Sequence, residues 1–250
     1  METAESIRKY LTPQMWVASV DLKDAYFHVP MKESNFKFLR FTNKGVVYEY
    51  RALPFGLCTA PLVFTIVMRQ VKVFLAKMGV TVNMYLDDWL ISAASPLAVQ
   101  KAVAITLKLC LKLGLRVNLT KSELVPMQNF KFVGYHYLLA EARVVTPADR
   151  VLKIHSAIPA LLAQKSVSAR DLMQIIGLLA SAEKTTLYGR FHLRDLQYNL
   201  NRSWKKGQSY AKVITLTPQS KQALSWWGGD LGLLSQPLHP PPPPPPPRPG

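Results

Sequence analysis

Thr81–Ser92 reads Thr-Val-Asn-Met-Tyr-Leu-Asp-Asp-Trp-Leu-Ile-Ser, so that, running on from Val80, two apolar stretches flank the adjacent carboxylates Asp87 and Asp88. Apolar residues leading to and away from a polar break predict a β-hairpin, with the acid pair at or beside its tip. Neighbouring negative charges repel, an apolar strand solvates them poorly, and Asn-Gly or Asp-Gly would make a better tight turn. An ordinary acidic hairpin tip is the plain reading. The sharper one is a cation site, since Mg²⁺ is usually held by one or two carboxylates together with substrate phosphates. A third carboxylate would decide between them, and Asp21 is the candidate. It ends the apolar run Trp16–Val20, where an unpaired charge is costly. If that run lies beside the hairpin in one sheet, Asp21 and Asp87 are expected to face one another across the strands. Such a pair could hold two Mg²⁺ ions that activate an attacking hydroxyl and neutralise a leaving pyrophosphate. A strand-end carboxylate bonded to backbone N–H groups is the alternative for Asp21.

The rest of the chain narrows the setting. At 250 residues and 49% hydrophobic, the chain can build a core, which excludes a mostly disordered protein. Lys and Arg number 31 against 15 Asp and Glu, a net charge of +16. From Arg150 to Lys221, twelve basic residues face only Asp171, Glu183 and Asp195. That excess favours polyanionic partners, nucleic acid or an anionic membrane surface. Cys58 and Cys110 are too few for a disulfide framework or a structural zinc site, so a reducing compartment, cytoplasm or nucleus, is expected. The start, Met-Glu-Thr-Ala-Glu-Ser, lacks the apolar core of a signal peptide. The uncharged run Ala52–Met68 is broken by Pro54, Gly56 and Pro61, so a soluble protein without a membrane partner is expected.

Strands are expected at Phe36–Phe41 and Val46–Tyr50, joined by Asn43-Lys44-Gly45. Thr59 is expected to cap a helix from Ala60-Pro61 to about Met78, and Ser95-Pro96 to open one closed by Gly114. Leu115–Asn118 and Phe130–Tyr137 read as short strands. Helices follow. Thr146-Pro147-Ala148-Asp149 and Ser168-Ala169-Arg170-Asp171 have the form of capping boxes. Behind them run the stripes Leu152, Ile154, Ile158, Leu161 and Leu172, Ile175, Ile176, Leu179. Further helices are expected over Tyr188–Asn199 and from Thr217-Pro218 to Trp226-Trp227. The proline run Pro240–Pro247 reads as polyproline II.

Several of these words together resemble a family. Ser19-Val20-Asp21-Leu22-Lys23-Asp24-Ala25-Tyr26-Phe27 with Val29-Pro30 resembles the first catalytic motif of reverse transcriptases. Leu53-Pro54-Phe55-Gly56-Leu57 with Ala60-Pro61 and Phe64 is similar to their second, and Tyr85-Leu86-Asp87-Asp88 to their Tyr-x-Asp-Asp box. Leu113-Gly114-Leu115 through Lys121 resembles the next motif, and Phe132-Val133-Gly134-Tyr135 the hairpin that grips the primer. Five motifs stand in the family's order. Gly177-Leu178-Leu179, Arg190-Phe191-His192-Leu193-Arg194 and Trp226-Trp227 look most like retrotransposons of the DIRS type, in a gypsy-like group.

The resemblance implies an α+β fold: a right-hand polymerase palm, an antiparallel sheet with packed helices, followed by a helical thumb. It implies a palm over 1–140 with a reduced fingers insertion at about 31–51, and a thumb over 141–210. The start of a connection segment would cover 211–236, and a proline-rich tail 237–250. The implied activity is RNA-directed DNA polymerisation, adding deoxynucleotides to a primer on an RNA or DNA template with two Mg²⁺ ions, or Mn²⁺ in their place. Asp21 and Asp87 would ligate the metals and Asp88 complete the cluster. Asp24, Ala25, Tyr26, Phe55, Gly56 and Lys121 would bind the nucleotide, Tyr26 excluding a 2′-hydroxyl and Lys121 protonating the leaving pyrophosphate. Some relatives carry Gln where Phe55 stands, so packing there replaces a hydrogen bond. Phe132, Val133, Gly134 and Tyr135 would position the primer end. The basic helices would hold template–primer by its phosphates.

Relatives carry larger N-terminal fingers, whereas fifteen residues precede Trp16 here. They also continue into ribonuclease H, which is expected only in a longer parent polyprotein that takes part in transposition and DNA integration. The competing expectations are a catalytically inactive nucleic-acid-binding remnant and, through the proline tail, a module for aromatic grooves.

Overall fold

The computed structural model describes residues 4–229 and 235–239, and its contacts divide the chain after Gln128 into two units. No described helix is long and apolar enough to cross a membrane.

The first unit opens with helix α1 (Ala4–Tyr10) and strand β1 (Trp16–Asp21). After the hairpin β2 (Arg40–Asn43) and β3 (Val46–Glu49) come helix α2 (Ala60–Lys77), strands β4 (Thr81–Tyr85) and β5 (Asp88–Ala93), helix α3 (Pro96–Leu113) and strand β6 (Glu123–Met127). Four strands form one sheet in the order β4-β5-β1-β6. Strand β5 lies inside it, and Trp89, Leu90 and Ile91 are all fully buried. Burial on both faces explains why this strand reads as a continuous apolar run rather than an alternation. Both α2 and α3 pack on the sheet; Phe64, Met68, Val71 and Leu75 of α2 and Val99, Val103 and Cys110 of α3 share one core with Val20, Trp89 and Ile91. Helix α3 starts and stops where its sequence says. Ser95 Oγ accepts a bond from the Ala98 N–H at 3.3 Å, Pro96 follows, and Gly114 takes the left-handed conformation, φ 70°, that closes the helix.

Four local expectations are corrected. The hairpin between β2 and β3 pairs Asn43 with Val46, so its loop is the two residues Lys44 and Gly45, both at positive φ. That is a type I′ turn, which matches strand twist better than three residues do. Phe36 belongs to a 3₁₀ turn (Glu33–Phe38) instead of a strand. Thr59 makes no side-chain cap, because it is itself in the helical region with φ −87° and ψ −11°. Leu115–Asn118 contributes only a single bridge, Leu22 to Val117.

The second unit begins with β7 (Asn129–Phe132), β8 (Tyr135–Leu138) and β9 (Arg143–Val145), joined by β12 (Ser235–Pro237) in the order β12-β9-β8-β7. The Phe130 and Tyr137 rings stack 5.1 Å apart across β7 and β8. The Phe130–Tyr137 run expected as one strand is thus a hairpin, turning at Val133 and Gly134. Between β9 and β12 lie helices α4 (Ala148–Leu162), α5 (Ala169–Ala180), α6 (Gly189–Ser203) and α7 (Pro218–Trp227), with a short pair β10 (Ser166–Ser168) and β11 (Val213–Thr215). Ile154, Ile158, Leu172, Ile175, Leu179, Leu193 and Leu196 make its helical core. Ile214, Leu224 and Trp227, from the stretch expected to start a connection segment, lie in that same core. The capping box at Ser168 and Asp171 is present in both directions. The one at Thr146 is not: Thr146 is buried and bonded to Thr185, leaving Pro147 at the cap position. Leu152 faces solvent, one step off the buried stripe. The proline run lies outside the described residues.

Candidate active site

The site is set by strand register. Strands β1 and β5 run antiparallel with Val20 opposite Trp89 and Asp21 opposite Asp88. The expected partner of Asp21 was Asp87. The correction follows from the turn: β4 and β5 pair Tyr85 with Asp88, leaving Leu86 and Asp87 as a two-residue loop. Of the two loop residues only Leu86 has positive φ, 53°, which makes this a type II′ turn with leucine where glycine is usual. Two bonds hold that turn. The buried Trp89 indole donates Nε1–H to the Leu86 carbonyl at 3.2 Å. The Asp87 carbonyl accepts from the Leu22 N–H at 2.9 Å, tying the hairpin tip to the end of β1.

The end of β1 is fixed from its other side by the loop after α3. The Asp21 N–H donates to Ser122 Oγ at 3.0 Å, and the Asp21 carbonyl accepts from the Asn118 N–H at 2.8 Å. Ser122 Oγ in turn donates to the Asn118 carbonyl at 2.7 Å. The two bonds to Asp21 use its backbone, so among the described residues its carboxylate is not the strand-end cap that sequence left open. Neither Asn118 nor Ser122 stood out as a site residue; only their position beside Lys121 hinted at it.

The three carboxylates feel one another. Burial raises the Asp88 pKa above its ordinary 3.8, the charges of Asp87 and Asp21 raise it further, and Lys121 draws it back. One cation and three acids therefore gather where β1 and the hairpin end. Among the described residues no three His, Cys, Asp or Glu side chains close into a ready-made metal cage. Crowded anions separate when nothing neutralises them, and Mg²⁺ takes only one or two protein carboxylates plus substrate oxygens. The donor set, hard carboxylate oxygens gathered at one edge of the sheet, fits such an ion.

Tyr26 lies next to the acids. Its pKa is raised by burial, then by Asp87 and Tyr85. Its ring packs 4.7 Å from that of Phe55 and edge-on to Phe64 at 5.4 Å. Phe27 meets Phe55 edge-on at 5.4 Å. Phe55 stays half exposed, and Gly56 follows at φ 89°, a left-handed position that favours glycine. Ala25 is buried in the core beneath. Asp24 is the outlier of the expected nucleotide set: its carboxylate pairs with Arg116 at 3.5 Å. Beside it, His28 accepts from the Arg116 N–H through Nε2 at 2.9 Å, so Nδ1 donates to the Ala25 carbonyl at 3.0 Å.

Phe132, Val133, Gly134 and Tyr135 belong to the second unit. Phe132 pairs with Tyr135 around a type I′ turn, Val133 at φ 45° and Gly134 at φ 79°. Arg150 clamps it, donating from Nη1 to the carbonyls of Gly134 at 2.9 Å and Ser181 at 3.1 Å. Burial raises the Tyr135 pKa, against the pull of Arg150.

Comparison with known proteins agrees with this geometry. The family model described as "Reverse transcriptase (RNA-dependent DNA polymerase)" matches residues 2–137. The chain is 26% identical over 215 residues to the Gag-Pro-Pol polyprotein of Human T-cell leukemia virus 2, covering 82% of this chain and 14% of that one. It is 25% identical over 220 residues to the retrovirus-related Pol polyprotein from transposon opus of Drosophila melanogaster, covering 84% and 20%. Protein P of a duck hepatitis B virus is 26% identical over 134 residues, covering 52% and 17%. The chain thus spans a small fraction of these curated relatives. Among solved structures, a foamy viral protease-reverse transcriptase in complex with double-stranded DNA superposes with TM-score 0.74 at 18% identity, covering 93% of this chain and 38% of that one. The fold is shared: α+β, with an antiparallel sheet and packed helices followed by a helical region.

Proposed function

From the premise that the chain belongs to the reverse transcriptase family, we propose that it carries the palm and thumb of an RNA-directed DNA polymerase. On this reading it extends a primer with deoxynucleotides on an RNA or DNA template. The observation that carries the proposal is the register that sets Asp21 opposite Asp88, with Asp87 in the turn between β4 and β5.

The family uses divalent ions, and two Mg²⁺ held by Asp21 and Asp87, with Asp88 completing the set, would activate the primer hydroxyl and neutralise the departing pyrophosphate. The protein's own groups supply the rest. Tyr26, wedged between Phe55 and Phe64, offers a rigid ring to the sugar of the incoming nucleotide, and its bulk disfavours a 2′-hydroxyl. Phe55 and Gly56 bound the same space by packing alone. Lys121, near enough to Asp88 to lower its pKa, can give a proton to the leaving group. The turn at Val133 and Gly134, braced by Arg150, would hold the primer end, and the basic helices would hold phosphates. Arg116 occupies Asp24, which gives that carboxylate a positioning part, steadying the turn before Tyr26. Two of the relatives are retroviral or retrotransposon-derived Pol polyproteins, and the same ancestry is proposed for this chain. The finer kinship with DIRS-type elements rests on the words at 177–179, 190–194 and 226–227.

The experiment is primer extension on an RNA template with Mg²⁺ and deoxynucleotides, beside an Asp87→Asn, Asp88→Asn control. Extension that disappears in the control is the expected result. Template–primer binding without any extension would replace the polymerase with a binding remnant.

A further inference from the structure

Helix α6 presents solvent with an unusual line of side chains. Its buried positions are Gly189, Leu193, Leu196 and Asn199. Phe191, Arg194, Tyr198 and Arg202 are spaced three, four and four residues apart and therefore form one row on the opposite side. Phe191 is 70% and Tyr198 66% exposed, and Arg194 and Arg202 are exposed as well. The row is roughly 16 Å long at 1.5 Å per residue. Solvent-facing aromatic rings on a helix are costly and mark a contact surface.

The row is braced from behind. The Phe191 ring meets His192 edge-on at 5.2 Å, His192 stacks on Trp226 at 3.9 Å, and Trp226 meets Trp227 edge-on at 5.4 Å. Trp227 is buried against Gly189, where an added Cβ would lie 2.9 Å from its ring. Phe191 thus sits at the end of a packed aromatic chain that reaches the core, so little freedom is lost when something stacks on it.

We infer that the row Phe191–Arg194–Tyr198–Arg202 binds single-stranded nucleic acid, its rings stacking on unpaired bases and its guanidinium groups meeting the phosphates between them. Aromatic side chains alternating with cations are the general requirement for strand binding without sequence preference. A protein partner would equally cover apolar rings, but the charge decides against it. Helix α6 carries three arginines and one acid, Asp195, and neither Arg194 nor Arg202 has a carboxylate partner among the described residues. A duplex hides its bases from such rings, whereas an overhang or displaced strand offers them. The inference shares with the polymerase reading only the premise that the second unit binds nucleic acid.

The test is equilibrium binding of the full chain, without nucleotides, to an oligo-dT strand, an abasic strand of equal length and a blunt duplex. Phe191→Ala and Tyr198→Ala should each weaken oligo-dT binding about tenfold while leaving the abasic strand and the duplex unchanged. Phe191→Tyr and Tyr198→Phe keep a ring and should bind as the native chain does, so a folding defect cannot pass for lost stacking. Arg194→Gln with Arg202→Gln should lower the slope of log affinity against log salt by about 1.4. Equal losses on oligo-dT and the abasic strand would overturn the inference. So would unchanged oligo-dT binding by folded alanine variants, which would leave the row to a protein partner. Failure to extend a primer would not bear on it.

Discussion

Asp88→Asn should make the protein more stable while removing the proposed primer extension. Asp21 and Asp88 are directly opposed across β1 and β5, which places their Cβ atoms about 5 Å apart. Two carboxylate charges roughly 6 Å apart repel by about 0.7 kcal/mol at the dielectric of water and about 3 kcal/mol at an effective value near 20. Asp88 is exposed on its outer side, and Lys121 offsets part of the repulsion from Asp21 and Asp87. The lower end therefore applies, and the variant should gain about 1 kcal/mol at neutral pH in chelator. The sign with pH follows from the raised pKa. Well below 3.8, Asp88 is protonated in the folded and unfolded chains alike, and nothing is lost. As pH rises from there through the raised folded value, the folded chain binds more protons than the unfolded one, so its stability falls. Asparagine does not follow that fall. Urea midpoints of both chains between pH 4 and 7.5 would show a gap that opens with pH. Millimolar Mg²⁺ should close it, by binding the native acids more strongly than the variant's. A variant less stable than the native chain at pH 7, or a gain that persists unchanged to pH 4, would refute the mutual repulsion on which the site is built.

Gly189→Ala should destabilise the second unit by about 1–3 kcal/mol through overpacking, since the new methyl would lie 2.9 Å from the buried Trp227 ring. The loss of its cooperative transition in urea, followed by tryptophan fluorescence, would be the measurement, and a neutral result would mean that Trp227 can move. Val133→Asn should raise stability by about 1 kcal/mol, because valine is held at φ 45°, a left-handed conformation costly for a branched residue and suited to asparagine. A lower urea midpoint for the variant would mean that Val133 contributes more by packing than its backbone costs.

Much of this architecture was legible because local signals agreed with each other. Ser95, Pro96 and Gly114 bound α3 by side-chain chemistry that no distant contact overrides. Ser168 and Asp171 do the same for α5. The identical-looking word at Thr146 failed because Thr146 and Thr185, thirty-nine positions apart, settle the hydroxyl in the core instead. Strand β6 escaped notice for a related reason. Glu-Leu-Val-Pro-Met contains a proline that argues against a central strand, but β6 is the edge of its sheet, where a missing N–H costs little. Edge position is a property of the assembled sheet. Leu152 shows the limit of periodicity, which gives the buried side of α4 only to within one residue.

The acids themselves were readable, since three carboxylates at the ends of apolar strands have no good structural excuse. Their pairing was not. Reading Asp21 against Asp87 assumed that the first acid of the pair still belonged to the strand, and only the turn decides that. With Leu86 in the left-handed region, the chain reverses in two residues and Asp87 is lifted out of the ladder. A non-glycine residue there costs about 1–2 kcal/mol, and sequence statistics would have placed glycine or asparagine at that position. What offsets the strain lies elsewhere: the Trp89 indole on the Leu86 carbonyl, the Leu22 N–H on the Asp87 carbonyl, and Asn118 and Ser122 on the backbone of Asp21. Each uses main-chain atoms and leaves the carboxylates unspent. An acidic hairpin tip with no task would have directed those carboxylates to the nearby N–H groups. Here three separate segments satisfy the backbone at the strand ends, which leaves the carboxylates open to a cation.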